Sequence, residues 1–472
     1  MKKRLLFLLV AVLCLGITVN AKEVTEDYKL TGDITDGIHI PEGKEVVLDL
    51  NDYNVSGTIE DLATIYNEGT LTIKGLGNVT SEYSNETDPS LILNEGTLII
   101  ENGNYSGGAY PLLNKGKTTI KGGSFTRTGG TNVAIMNDKT LTIEKGTFQG
   151  QVISNNNITV KDGTFNAGVT IAKKGKVTGG TFKVLLMAQN EGTELTIDEA
   201  TISTLSATTK AVVNVEKATV SGQVQAISNG VVNIYDGEFN GTLTIRGSES
   251  KINASGGVYK YLVTNDYLET GFVCRERSDG KFIVLDPDNI SLRMIKESID
   301  SLVAEEEELI TNALQDTEYQ IGASYDVTIK EVTDKGEELG TVTETDEELE
   351  VTLEIPEELQ NVPANTDREF VIIRVHNGEA EELETTDNKD GTLTARSNLF
   401  STYTVAYKDT VRSTPTNNND NNDSGTINYR EEETNTIGTN PKTNDNILLF
   451  VMLLSISSIS LVINTKKLIK NN

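Results

Sequence analysis

Residues able to do chemistry are sparse and scattered. The chain of 472 residues holds two histidines and two cysteines among 70 acidic side chains. His39 sits between Ile38 and Ile40 in an alternating stretch, which reads as a half-exposed strand position, and His376 belongs to a strand, "IIRVHNG". Acid-base cleavage of a polysaccharide needs carboxylates gathered on one face with a basic neighbour. Here the acids fall at different repeat positions, and no nucleophile elbow, phosphate loop or zinc spacing occurs. The stretch "DNKDG" from Asp387 has the beginnings of a calcium loop, but Ser397 occupies the later ligand position and the stretch reads as a hairpin turn. The expectation is therefore no catalytic residues, no metal site and no cofactor.

Chemistry done to the chain is better marked. Lys2, Lys3 and Arg4 precede an apolar run from Leu5 to Ile17 and then Val19-Asn20-Ala21. That pattern is a secretory signal peptide over 1–21, cut between Ala21 and Lys22, since the run is too short for a permanent membrane helix. Cutting there leaves Cys274 as the single cysteine, so an internal disulfide cannot form and packing must hold the fold. The net charge of −29 becomes more acidic still. It excludes nucleic acid and anionic membrane as partners, because both are bound through basic patches.

At the other end, Asn440-Pro441-Lys442-Thr443-Asn444 precedes an apolar span, 447–463, and then Lys466, Lys467 and Lys470. Pentapeptide, span and basic tail together resemble a Gram-positive sortase sorting signal of the Asn-Pro-x-Thr-Asn type. Pro441 fixes φ and presents the segment extended. The resemblance implies that a sortase cysteine attacks the Thr443 carbonyl, that Thr443–Asn444 is cleaved, and that the Thr443 acyl group passes to an amine of a cell-wall precursor. Sortase and peptidoglycan are then the expected partners, with a membrane only before sorting, and the protein is the substrate of that reaction. A span this short with a basic stop also suits a simple C-terminal membrane anchor.

The elements between these signals repeat. "NEGTLTIKGLGNVTS", "NEGTLIIENGNYSG", "NKGKTTIKGGSFTR" and "NNNITVKDGTFNAG" share a turn, an alternating strand, a small-residue corner and an apolar or aromatic landmark. The landmarks are Val79, Tyr105, Phe125, Phe148, Phe165, Phe182, Ile202, Val220, Phe239 and Tyr259, a loose period of about 20 residues. The period-two alternation in Leu71-Thr72-Ile73 and Leu141-Thr142-Ile143 makes each repeat a coil of strands, and helical repeats need more residues. The fold class expected is mainly β: a right-handed parallel β-helix over 22–286, with about ten coils stacked at ~4.8 Å. The landmarks should point inward as a core. Asn67, Asn94, Asn114 and Asn137 are expected as turn residues that tolerate left-handed conformation and ladder between coils. "GIHIPEGKEVVLDLNDYNVSG" is similar to the first coil of bacterial surface β-helices, and "GGVYKYLVTNDYLETGFVCRERSDGKFIVLD" to their closing segment, with a hairpin at Ser278-Asp279-Gly280. Together with the sorting signal, these stretches resemble Firmicutes-type wall-anchored proteins with pectate-lyase-like repeats.

Beyond Leu285 the pattern changes. Leu292, Ile295, Ile299, Leu302, Leu309 and Ile310 lie on a helical stripe, which predicts a helical connector over 287–318 with Glu305 to Glu308 on a solvated face. Strand patterns then return over 319–408, with turn signals at Asn377-Gly378 and Asp390-Gly391. "IPEEL", "IIRVHNG" and "FSTYTVAY" resemble a small accessory β-domain of wall-anchored proteins, expected as a sandwich. Residues 409–439 are nearly devoid of apolar side chains, so a disordered linker is expected there, followed by the sorting signal over 440–472. Two functions suit this organisation. One is a non-catalytic, wall-anchored adhesin or glycan-binding rod on the outer surface, whose ligand is an extracellular polysaccharide or host surface. The other is a polysaccharide lyase or glycosidase with a carboxylate cluster on one β-helix face.

Overall fold

The structure is a computed structural model that describes residues 21–412 apart from 60, 82–87 and 128–131. Residues 1–20, most of the expected linker, the pentapeptide Asn440–Asn444 and the span 447–463 lie outside the described residues. Among the described residues no helix is long and apolar enough to cross a membrane. The chain divides into two compact units between Pro287 and Asp288.

The first unit is a parallel β-solenoid whose coils each lay down three short strands. One coil runs Ala63–Asn67 on face A, Thr70–Lys74 on face B and Asn78–Thr80 on face C, and the next coil repeats this with Ser90–Asn94, Thr97–Ile100 and Asn104–Ser106. Face B alone holds 12 parallel strands. The stack therefore begins ahead of Val79: Val55 pairs in register beneath it, and Tyr28–Lys29 pairs with Leu48–Asp49. These first coils carry aliphatic inward residues and lack the aromatic landmark.

Every landmark occupies one inward column of face C. Val79 pairs with Tyr105, Tyr105 with Phe125, and the register continues coil by coil to Tyr259. All are at most 2% exposed. From Tyr105 to Phe182 the rings stack with centroids 4.6 to 5.4 Å apart and near-parallel planes, as parallel in-register strands impose on equivalent side chains. The hydroxyls of Tyr105 and Tyr259 donate to the Asn102 and Gly256 carbonyls at 2.8 Å, so neither buried phenol lacks a partner.

Asn67, Asn94, Asn114 and Asn137 form a second ladder, fully buried at the ends of face A strands. Each Nδ2 donates to the Oδ1 of the asparagine in the next coil at 2.6 to 2.8 Å, and Asn137 donates to Ser154 Oγ. The left-handed backbone expected of them is absent, because none of the four has positive φ. They end strands, and the turn itself is left to the residues that follow.

The far end of the stack is covered. Ala21–Glu23 pairs parallel with Gly37–Ile40, and the hairpin Val273–Glu276 and Phe282–Leu285 closes the far end with Val258 opposite Ile283. Covering matters because an open parallel edge is a template for another chain.

The second unit is a two-sheet β-domain with one helix on its outer side. Ile290–Ile299, Gln320–Thr333, Thr402–Val411, Thr366–His376 and Glu379–Leu383 lie in that order in a six-stranded antiparallel sheet, with Glu338–Val342 beside Gln320–Thr333. Glu344–Glu354, Thr392–Leu399 and Thr385–Asp387 make the second sheet. Val327, Ile329 and Ile372 pack against Val351, Leu353 and Leu393 between the sheets. Here the helical expectation is corrected: α-helix within 287–318 occupies only Ala304–Leu314, a single 3-10 turn takes Pro287–Asn289, and Ile290–Ile299 is a strand paired along its whole length. Ile290, Leu292 and Met294 alternate while Leu292, Ile295 and Ile299 fit a helical stripe, and pairing with Gln320–Thr333, which buries Ile290 and Leu292, decides for the strand. Ile310 and Leu314 of the true helix cover Val371, Ile373 and Val375. Glu305, Glu307 and Glu308 are exposed as expected, whereas Glu306 is half-buried and accepts a 2.9 Å hydrogen bond from Thr402 Oγ1.

Candidate functional site

Coils turn from face B to face C through a small-residue corner, and stacking these corners cuts a groove along the solenoid. Its bottom is glycine or alanine, as at Gly123, Gly146, Gly163, Gly180, Ala200 and Ala218. At the glycine corners the backbone demands this: Gly163 has φ +139°, and a Cβ on Gly237 would stand 2.2 Å from the Ala218 carbonyl oxygen. One wall is the outward column of face C, where Ser124, Thr147, Thr164, Thr181, Thr201 and Thr219 succeed one another in register. Below them an Asn54–Asn78–Asn104 ladder, bonded at 2.7 and 3.0 Å, continues the column in amides.

The opposite wall is charged and largely self-paired. Lys121 meets Glu101 at 3.4 Å, and Lys161 meets Glu144 at 2.9 Å, each pair one coil apart. Such exposed pairs contribute little stability, but they fix the sign of the rim. Asp162 and Asp236 each accept the N–H of the following glycine at 2.7 Å, so one carboxylate oxygen of each shapes the corner. Two depressions of about 540 Å³ open in this groove. One contains Gly122-Gly123 and the other Gly179-Gly180, and both are lined by Asp162.

The titrations that move here bear on chemistry. A hydrogen bond from Lys161 holds Glu144 below the usual carboxylate range, and Lys281, 2.7 Å from Glu238, does the same there. A proton-donating acid requires the opposite displacement. Both carboxylates are already paired with a lysine.

His39 is placed on the outer side of face A, not in the groove. It is half-exposed as its alternation implies, and its Nε2 lies 2.8 Å from Glu68 Oε2 while its ring stacks on Tyr66 at 5.2 Å. The Tyr66 hydroxyl donates to Glu95 Oε2 at 3.0 Å, and burial together with Glu68 and Glu95 pushes that phenol up. Tyr66, Glu68 and Glu95 were not singled out by the sequence. Their signal is the Asn-Glu-Gly triplet at 67–69 and again at 94–96, one coil apart. Above Tyr66, the outward column continues as Leu93, Leu113, Met136 and Ile153.

The remaining positions have structural surroundings. His376 Nδ1 is 3.4 Å from Ser401 Oγ. At the calcium-like stretch, Asp387 and Asp390 accept the N–H groups of Lys389 and Thr392 at 2.9 and 3.0 Å, as in a hairpin turn. Burial opposes the Asp387 charge, yet the Lys389 contacts hold the carboxyl below its usual range. Cys274 is half-buried in the closing hairpin, and burial pushes its thiol up. Among the described residues no group of three or more His, Cys, Asp or Glu is placed to hold a metal ion. Ala21 and Lys22 lie in the first strand, with the Lys22 ammonium 3.7 Å from the Tyr28 ring centroid. Asn440, Pro441, Lys442, Thr443 and Asn444 lie outside the described residues. No family model matches the chain, and neither does any curated protein or solved structure.

Proposed function

We propose that this chain is a secreted, wall-anchored rod that binds glycan without cleaving it, and that the corner groove is its binding surface. The observation that carries the reading is the unbroken row of hydroxyls from Ser124 to Thr219 beside a glycine floor. Hydroxyls one coil apart offer paired donors and acceptors to a hydroxyl-rich chain running along the stack. The small corner lets that chain approach the backbone itself. Anchoring rests on the Asn-Pro-Lys-Thr-Asn sequence, with a sortase joining Thr443 to peptidoglycan. In the producing cell, Thr443→Ala should shift the protein from the wall fraction to membrane or medium, and wall retention of the variant would remove the sortase reading.

The groove is tested by passing the full-length protein over plant, mucin and microbial polysaccharides while assaying for new reducing or unsaturated ends. Retention without new ends is expected. Turnover would overturn the binding reading in favour of a lyase or glycosidase, and would direct attention to His39, Glu68, Tyr66 and Glu95, the polar cluster on face A.

A further inference from the structure

The groove has a repeat of its own. The first depression takes in the corners of Gly123, Gly146 and Gly163 and the second those of Gly180, Ala200, Ala218 and Gly237, so the two adjoin at Asp162, and a ligand reaching from Gly123 to Gly180 crosses three coils. At ~4.8 Å per coil that is about 14 Å along the stack. Their rims differ in charge. The first holds Glu101, Lys121, Lys145 and Asp162, which balance. The second holds Asp162, Glu199, Asp236 and Glu238 against Lys217 alone, with Lys281 reaching Glu238 from the closing hairpin.

We infer that the two depressions are paired subsites for one unbranched glycan of neutral or amino sugars, long enough to bridge three coils. This rests on the glycan-binding reading above and specifies its ligand. Occupying one depression holds a linear chain beside the other, so the second contact forms at high effective concentration and affinity rises without new contact chemistry. The rim excludes polyuronates at the acidic depression, where like charges would meet in a partly enclosed site. Amines gain there instead.

The experiment measures binding of size-graded glucosamine, cello- and galacturonic acid oligomers, from disaccharide to octasaccharide, to the full-length protein. Two variants fill one depression each, Ser124→Arg for the first and Thr181→Arg for the second, with Ser124→Gln and Thr181→Gln as substitutes if arginine impairs folding. The expected result is a step of roughly 100-fold in affinity once an oligomer spans both depressions. Filling either depression should abolish the step while short oligomers still bind the other one. Galacturonic acid oligomers should bind weakest. Binding without a length step, or one variant abolishing binding at every length while the other changes nothing, would overturn the paired subsites and leave groove binding standing. Preference for galacturonic acid oligomers would overturn the charge argument. Absence of binding to any glycan would overturn the reading beneath both.

Discussion

Asn94 shows how much one side chain can organise in a stacked fold. Its Oδ1 accepts from Asn67, while its Nδ2 donates to Asn114 Oδ1 and lies within reach of the Gly96 and Lys117 carbonyls and Thr118 Oγ1. The ladder is therefore directional. Its first member, Asn67, keeps a buried Oδ1 that no described donor satisfies, because the preceding coil has Ile40 at that place. We expect Asn94→Ala to cost about 1–3 kcal/mol, the range for stranding buried polar groups. Asn94→Asp should cost more, since it sets an acceptor against acceptors and buries a charge. Equal urea midpoints for the two variants would show that direction is irrelevant. Phe165 tests the neighbouring column: flanked by Phe148 at 4.8 Å and Phe182 at 4.6 Å, it should lose about 3–5 kcal/mol as Phe165→Ala and clearly less as Phe165→Leu. Both columns were legible in the sequence, because a buried position repeated once per coil keeps its residue type. The groove was not, since its walls come from residues about a coil apart whose register only stacking fixes.

At the level of elements, legibility depended on what a segment pairs with. The coil strands, the closing hairpin and the Asn377-Gly378 turn announce themselves locally, and Gly378 takes φ +80° as that turn needs. Ile290–Ile299 does not, because its apolar spacing serves either helix or strand and the decision falls to a partner strand whose paired residues lie 25 to 43 positions away in sequence. Face A likewise hid its cluster, for Tyr66 and Glu95 meet only across coils. The closing hairpin makes an element-scale prediction. Ile283 pairs with Val258 of the last coil, and the Val284 N–H donates to the Gly257 carbonyl at 3.1 Å. Ile283→Pro should break this pairing and expose Val258-Tyr259 as an open edge. We expect concentration-dependent association by light scattering where the parent protein has none. A variant that stays monomeric with an unchanged melting temperature would mean that the hairpin does not guard the stack.

The two units should answer acid differently. In the solenoid the buried polar groups are amides, hydroxyls and one arginine, with no carboxylate among the described buried residues, and the inward columns are apolar. The second unit ties its strands with carboxylates: Arg368 grips Asp409 through two 2.7 Å hydrogen bonds while stacking over Tyr407, and Arg412 holds Asp367. Hydrogen bonding to these arginines holds Asp409 and Asp367 below their ordinary value of 3.8. A carboxyl whose folded-state pKa is depressed stabilises the fold fully above its unfolded value and loses that contribution as pH falls through the folded one. Glu144 and Glu238 follow the same sign in the solenoid, but Glu144 joins neighbouring coils and Glu238 joins its coil to the closing hairpin, where the backbone ladder and stacked core remain after protonation. Calorimetry of the full-length protein should therefore show two transitions, with the one belonging to the second unit moving to lower temperature as pH falls below about 4. Arg368→Ala should flatten that acid dependence and leave the solenoid transition in place. A single transition at all pH values would mean that the units unfold together, and acid loss of the solenoid first would mean that its cross-coil carboxylates outweigh its stacked core.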